Sequence, residues 1–477
     1  MTNGGHPITP VTDSASSSNV NRRRMLTIAL GGAATVALPA PAWAANDKRP
    51  GASRKPALTS DDRKIIAQVS AERAVKHLRY LSEDIGPRIG GTSSERRAAD
   101  YIAKELAHHG YRVELEPFAV ADKFLAQLSS PAGLPTDLNW QAGASAHAAL
   151  DTTVSGDVVD VGAGAPENYP ATVAGQIVLI DYVAARREQL VATALARGAA
   201  AVVFLAADGV PPRRSGTFTP TLPGSANSPV PIPVVGVAQA QKERLRALVA
   251  SGRRLTLVIS TAAHRNLTSH NVIAERVGRA GANGPVVMVS AHYDTVIGAP
   301  GANDDGSGTV LCLELARVMK AIPVNATLRF ALWGSEEQGL LGSRYHVRQL
   351  PQAERDRFLA VYQNDMVATS WDPATRYWQL SFDGQANRAT DEVTAAGLRL
   401  GYDPRMSPVT QRGSSDHQSF QEVGIASANF SWRGEESPAL LEPPYHTPED
   451  TIAKNISLER LQVSLELIGC AAYATAR

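Results

Sequence analysis

The stretch GPVVMVSAHYDTVIGAPGANDDGSGTVLCLELARVMK, residues 284–320, decides the fold. It begins with a nearly continuous apolar run, Val286–Ala291, the pattern of a strand buried on both faces. It ends in apolar residues at helical spacing, from about Gly306 to Lys320. The loop between carries His292, Asp294 and the adjacent Asp304 and Asp305, set among glycines. Two neighbouring carboxylates repel each other unless a cation lies between or beside them. The stretch therefore reads as strand, charged loop and helix, with a cation wanted where the strand ends.

The same pattern recurs on the carboxyl side. TLRFALWG (327–334) reads as a strand and is followed by Glu336 and Glu337. GSRYHVRQL (342–350) reads as a helix, and FLAVYQN (358–364) as a strand that runs into Asp365. IASANFSW (425–432) leads through a Pro-rich loop to Tyr445 and His446. Strands alternating with helices predict an α/β fold, a mostly parallel mixed sheet covered by helices on both faces. In such sheets ligands bind beyond the carboxyl ends of the strands.

On the amino side, residues 61–109 read as helical with a Gly/Pro break at 85–91, and RVELEPF (112–118) as a strand. From 130 to 263 the texture becomes Ala/Val/Gly-rich. Short apolar runs appear there, GQIVLIDY (175–182), AAAVVFLAA (199–207), PIPVVGV (231–237) and LTLVIS (255–260), with one helical segment at 186–199. This is expected to be a small α/β insert without a catalytic cluster. The organisation is thus an N-terminal segment at 1–44, a linker at 45–58, α/β parts at 59–129 and 264–477, and the insert at 130–263.

Residues 1–44 read as an export signal. Arg22, Arg23 and Arg24 precede an apolar run from Met25 to Ala40, and AWA supplies a small-x-small cleavage site after Ala44. The paired arginines resemble a twin-arginine signal. The apolar run is short of the ~20 residues a membrane span needs, so no stable membrane association is expected, and the mature chain is expected outside the cytoplasm, periplasmic or secreted. A formal net charge of +1 gives no electrostatic reason to expect a nucleic-acid partner. Cys312 and Cys470 lie in helix-like stretches, either paired or as two separate core thiols, and neither has the spacing of a Cys-based zinc site. The sequence leaves the oligomeric state open.

His292, Asp304, Glu337, Asp365 and His446 form a donor set that suits a pair of zinc ions, with one carboxylate bridging. Glu336, which need not coordinate, is then the candidate general base. Asp294 is placed to hold the His292 ring in its ligating tautomer. Singly, each motif has an ordinary explanation: a loop pair, a solvated helix start, a turn with an N-cap. Together, each at a strand end, they point to metal chemistry. His108, His109, His346 and His270, the last read as part of a linker, are expected to be structural; Asp416 and His417 are expected near the pocket.

The series AHYDTV, GANDDGSG, LWGSEEQGLLGS, QNDM, SDHQSF and YHTPEDT resembles the co-catalytic di-zinc aminopeptidases, relatives of the glutamate carboxypeptidases. The resemblance implies the zinc-exopeptidase fold and two zinc ions as cofactors. It implies that Asp304 bridges them, with a cis peptide to Asp305. One ion would take His292 and Asp365, the other Glu337 and His446. Tyr445 would help to stabilise the oxyanion. The insert is similar to a protease-associated domain, without its usual Arg-Gly-aromatic signature. Some secreted relatives carry an arginine directly before SDH; Ser414 stands there in this chain, with Arg412 two residues earlier. The implied activity is hydrolysis of the N-terminal peptide bond of peptides or proteins. A carboxypeptidase or dipeptidase would need cations for a C-terminal carboxylate, for which Arg412 and Arg433 are available. A non-catalytic binding protein and a single-zinc glutaminyl cyclase-type acyltransferase complete the alternatives.

Overall fold

Strands that are apolar along their whole length need cover on both faces, and the chain supplies it. The structure, a computed structural model, describes residues 56–132, 138–223 and 229–477. The export segment therefore lies outside the described residues, as does nearly all of the linker after it. An eight-stranded sheet runs in the order Arg112–Val120, Leu267–Arg276, Thr327–Trp333, Val286–His292, Phe358–Asn364, Ser427–Arg433, Arg376–Ser381, Met406–Gln411. The four strands from Thr327–Trp333 to Ser427–Arg433 are mutually parallel. Their carboxyl ends therefore share one edge, at Trp333, His292, Asn364 and Arg433. Antiparallel neighbours flank this parallel centre on both sides.

The two faces sort side chains by the two-residue period of a strand. Val287, Val289 and Ala291, with Leu328, Phe330 and Leu332, join the larger core beneath the helices Ala71–Arg79, Ser93–His108, Gly306–Met319 and Leu458–Ala476. Met288, Ala331, Trp333 and Val361 face the other way, against Val347 and Phe420. The helix Gly306–Met319 is capped by the Asp305 side chain, which accepts from Gly308 N at 2.9 Å. Gly308 has no room for a side chain: a Cβ there would sit 2.0 Å from the Asn364 carbonyl oxygen. Cys312 and Cys470 are both buried free thiols. Among the described residues no helix is long and apolar enough to cross a membrane.

The insert is a closed seven-stranded barrel rather than an open layer, in the order Lys123–Ser129, Asn139–Ala144, Val234–Val237, Ala201–Leu205, Ile177–Asp181, Thr152–Asp160, Thr256–His264. Three expectations change here. Lys123–Ser129, placed by sequence with the peptidase part, pairs along its length with Thr256–His264 and belongs to the barrel. The insert also holds a second helix, Gln239–Ala250, whose buried side includes Gln241 and Lys242 as well as Leu245, so its apolar pattern is weak. His270, too, lies within a strand and not in a linker. Chain entry and exit form one ribbon: Val120 pairs with Leu267 in the main sheet, and Lys123 with His264 in the barrel.

The first described helix, Ser60–Ile66, is tied across the fold by Asp62, whose carboxylate accepts from Arg399 Nε at 2.8 Å and Nη2 at 3.0 Å. Burial pushes the Asp62 carboxyl up, but Arg399 and Thr59 outweigh it and hold the pKa at about 2. A depressed pKa contributes stability that is present above the unfolded value and lost as pH falls through the folded one. Urea unfolding of wild type and Asp62→Asn should therefore differ most above about pH 4 and converge toward pH 2. A gap independent of pH would assign the effect to packing instead.

Candidate active site

The parallel strands deliver their charged residues to one point. His292 ends its strand, and Glu336 and Glu337 form a single 3-10 turn after Thr327–Trp333. Asp365 follows Phe358–Asn364, and Tyr445–His446 lie in the loop before helix Ile452–Asn455. Left-handed backbone at non-glycine residues accompanies this edge, at Ser335, Leu340, Met366, Ser414 and His446. Such conformations persist where surrounding contacts over-determine them, and they gather at functional sites.

Asp304 stands at the centre, and its two oxygens face different imidazoles. Oδ1 lies 3.3 Å from His292 Nε2, and Oδ2 lies 3.1 Å from His446 Nε2. His446 Nε2 is also 3.1 Å from Glu337 Oε2. His292 Nε2 is 3.8 Å from Asp365 Oδ1 and 3.9 Å from Glu336 Oε2. Two donor triads result, His292–Asp304–Asp365 and Asp304–Glu337–His446, and Glu336 lies with His292 and Glu337 in a third grouping. Ligands about 2.0–2.1 Å from a tetrahedral ion stand about 3.3 Å from one another, which is the scale seen here. Within the site Asp365 Oδ1 and Glu337 Oε1 are buried without a hydrogen-bond partner. Buried polar atoms are rarely left so unless something else satisfies them.

The adjacent aspartates have separate tasks. Asp305 turns away from the imidazoles and accepts from the backbone N–H groups of Gly308 at 2.9 Å, His292 at 3.2 Å and Met366 at 3.2 Å. The peptide bond between the two is cis. Asp294 is fully buried and accepts from Glu336 N at 2.9 Å and Glu337 N at 3.3 Å. It also lies 3.4 Å from His292 Nδ1, a contact without hydrogen-bond alignment. It thus fixes the Glu336–Glu337 turn as well as facing the histidine.

The electrostatics call for added positive charge. Burial opposes a charge on His292, but Glu336, Asp294, Asp304 and Asp365 outweigh it and hold its pKa well above the ordinary histidine value. Burial likewise opposes His446, and Glu337 and Asp304 overcome it. Burial together with Glu337, Asp416 and Asp365 pushes the Glu336 carboxyl well up, against the pull of His292. The carboxylates outnumber the two imidazoles, so bound cations would neutralise what protons otherwise must. By donor chemistry, spacing and charge, these residues fit a pair of zinc ions.

A cavity of about 380 Å³ opens on this cluster, lined also by Leu340, Arg344, Met366, Arg412, Arg433 and Tyr445. The Tyr445 ring stacks on that of His446, with centroids 3.8 Å apart. Asp416 and His417 lie beneath the cavity wall, fully buried. Burial raises the Asp416 carboxyl to about 7 and lowers the His417 imidazole to about 4. His417 Nε2 bonds the Arg412 carbonyl oxygen at 2.8 Å.

Three supporting residues escaped the sequence reading. Asp450 accepts from Asp304 N and Asn303 N, each at 3.0 Å, and so carries the backbone of the central aspartate. Glu95 accepts from Ser335 N at 3.1 Å, directly before the Glu336 turn. Arg88 is fully buried and donates to the carbonyls of Tyr293, Leu81, Gly86, Pro300 and Gly301 at 2.7–3.2 Å. Burial lowers its pKa to about 10, against Asp294, Asp450, Asp305 and Asp304. The one signal available was that Arg88 and Asp450 sit in the short motifs PRIGG and YHTPED.

Fold and site together define an α/β metallopeptidase type with a barrel inserted between two strands. The model for peptidase family M28 matches residues 271–471, and that for the PA domain matches residues 154–245. The chain is 36% identical over 403 residues to aminopeptidase YwaD of Bacillus subtilis (strain 168), covering 84% of each chain. It is 32% identical over 389 residues to an aminopeptidase of Pseudomonas aeruginosa, covering 74% of this chain and 69% of that one. Among solved structures it is similar to BSAP, a zinc aminopeptidase from Bacillus subtilis, with a TM-score of 0.60 and 34% identity over 86% of this chain and 96% of that one. The chain belongs to peptidase family M28.

Replacing Arg88 with methionine would strand several buried carbonyls, each worth roughly 1–3 kcal/mol when unsatisfied. Urea unfolding of Arg88→Met should show a loss of about 3 kcal/mol or more. A loss below about 1 kcal/mol would mean that water replaces the guanidinium without cost.

Proposed function

We propose that this chain is an exported zinc aminopeptidase that removes N-terminal residues from peptides. The observation that carries the proposal is Asp304, whose two oxygens face two imidazoles and so join two donor triads into one centre. His292, Asp304 and Asp365 would hold one zinc ion, and Asp304, Glu337 and His446 the second. When bound, zinc supplies Lewis acidity that polarises the scissile carbonyl and acidifies a water molecule.

The chain's own residues do the rest. Glu336, buried beside both triads and outside their shared donors, takes the proton from the attacking water. The water oxygen bonds to the carbonyl carbon, the C–N bond breaks, and Glu336 returns that proton to the leaving amine. The Tyr445 hydroxyl, in the cavity wall, donates to the carbonyl oxygen as it gains negative charge. Asp294 stands beside His292 and, through two backbone N–H groups, fixes the Glu336–Glu337 turn. The excess of carboxylates at the cavity floor favours a substrate that brings a free α-ammonium group there. Export rests on the arginine-led apolar segment and the cleavage motif at Ala44.

One observation favours a second reading. Arg412 and Arg433 both line the cavity, and after burial the Arg433 charge also lowers the Arg412 pKa. A pair of cations at the cavity wall suits a substrate carboxylate, as a dipeptidase or carboxypeptidase would use.

Leucine p-nitroanilide and its N-acetyl form, given to zinc-loaded mature protein, separate these readings. Cleavage of the free amine alone supports the aminopeptidase. Cleavage of N-acetylated peptides that keep a free carboxyl terminus would turn the assignment to a carboxypeptidase. Glu336→Gln should lower kcat by about 10²–10⁴ with KM and zinc content little changed, as loss of a general base does. Near-normal kcat in that variant would remove Glu336 from the proton-transfer role.

A further inference from the structure

We propose that the insert segment Arg214–Thr217 is a positioning clamp on the loop of His446, so that the PA-type barrel holds one half of the metal centre in place. The inference rests on the reading of His446 as a ligand. His446 has φ 58°, a backbone state that non-glycine residues keep only when their surroundings impose it. The insert supplies those surroundings. Gly216 lies directly against the His446 backbone, where an added Cβ would come within 2.0 Å of the His446 carbonyl oxygen.

Arg214 braces the same loop on both sides of the histidine. Its backbone N–H donates to the Pro443 carbonyl at 3.3 Å, and its Nε lies 2.9 Å from Glu449 Oε2. From the same side chain Nη2 donates to Glu243 Oε2 at 2.5 Å, on the insert helix Gln239–Ala250. That helix anchors the segment in turn: Gln239 Oε1 accepts from Gly209 N at 3.0 Å and Ser215 N at 3.3 Å, and Gln239 N donates to Ser215 O at 3.0 Å.

The insert also reaches the loop that leads to Asp304. Gln141 Oε1 accepts from Gly298 N at 3.0 Å, and Thr217 Oγ1 closes over Gly298, where a Cβ would meet it at 2.6 Å. Both loops that bring Asp304 and His446 together are therefore in contact with the barrel. Ligand geometry must be held to about 0.5 Å for tight metal binding, and supporting contacts of this kind supply that precision.

The test measures zinc affinity of the metal-free full-length protein and the visible absorption of its Co²⁺ form. The variants are Gly216→Val, Arg214→Ala, Arg214→Lys and His446→Ala, with Arg254→Ala as a control. Arg254 pairs with Asp157 at the insert's exposed side. Gly216→Val and Arg214→Ala should weaken binding of one zinc ion about 10–100-fold and alter the Co²⁺ spectrum, as loss of ligand support does. Arg214→Lys should recover part of the loss, and Arg254→Ala should match wild type. If Gly216→Val does not fold, Arg214→Ala decides alone. Wild-type zinc affinity in the clamp variants, alongside a lost ion in His446→Ala, would overturn the clamp and leave the active-site reading intact. Undiminished binding in His446→Ala would overturn both.

Discussion

One buried carboxylate, shared by two imidazoles, is the constraint on which the rest of the molecule depends. Asp304 is nearly inaccessible, yet it stays ionised far below the ordinary carboxylate range because His292 and His446 outweigh the burial that opposes its charge. A buried charge of this kind is tolerable only with partners held in place. The parallel sheet fixes His292, the helix capped by Asp305 fixes the Asp304 turn, and Asp450 takes up the Asp304 backbone N–H.

The arrangement separates orientation from chemistry. Asp305, Asp294, Asp450 and Glu95 spend their oxygens on backbone N–H groups, and none of these lies in the donor triads. Asp304, Glu337 and Asp365 turn their oxygens toward the imidazoles instead. A carboxylate that receives two or three backbone donors has little capacity left for a cation, so the backbone assigns each acid its task. This explains how adjacent residues of the same type, Asp304 and Asp305, come to differ so completely.

Much of this was legible in the sequence because strand ends are local signals. The runs before His292, Glu336 and Asp365 announce both the sheet and the edge where those residues meet. What was hidden depends on contacts distant along the chain. Arg88 acts through carbonyls more than two hundred residues away, such as Tyr293 O and Gly301 O. Asp450 looks like one more charge in a loop until its oxygens are seen on Asn303 N and Asp304 N. The helix Gln239–Ala250 escaped because its inner side buries Gln241 and Lys242, so apolar periodicity had little to mark. The strand Lys123–Ser129 was assigned to the wrong part because only barrel closure shows which partner it pairs with.

The entry and exit of the barrel bear on how such a chain could have arisen. Val120 and Leu267 face each other as cross-strand partners. Everything from Ala121 to Asn266 occupies the position of a hairpin turn in the main sheet. A tight turn at that point would close the sheet with no change to its register, so a whole folded unit takes the turn's place without disturbing any other strand. Such an acquisition costs the host fold nothing in topology. The later contacts of the guest with the loops of Asp304 and His446 are what would make it hard to lose again.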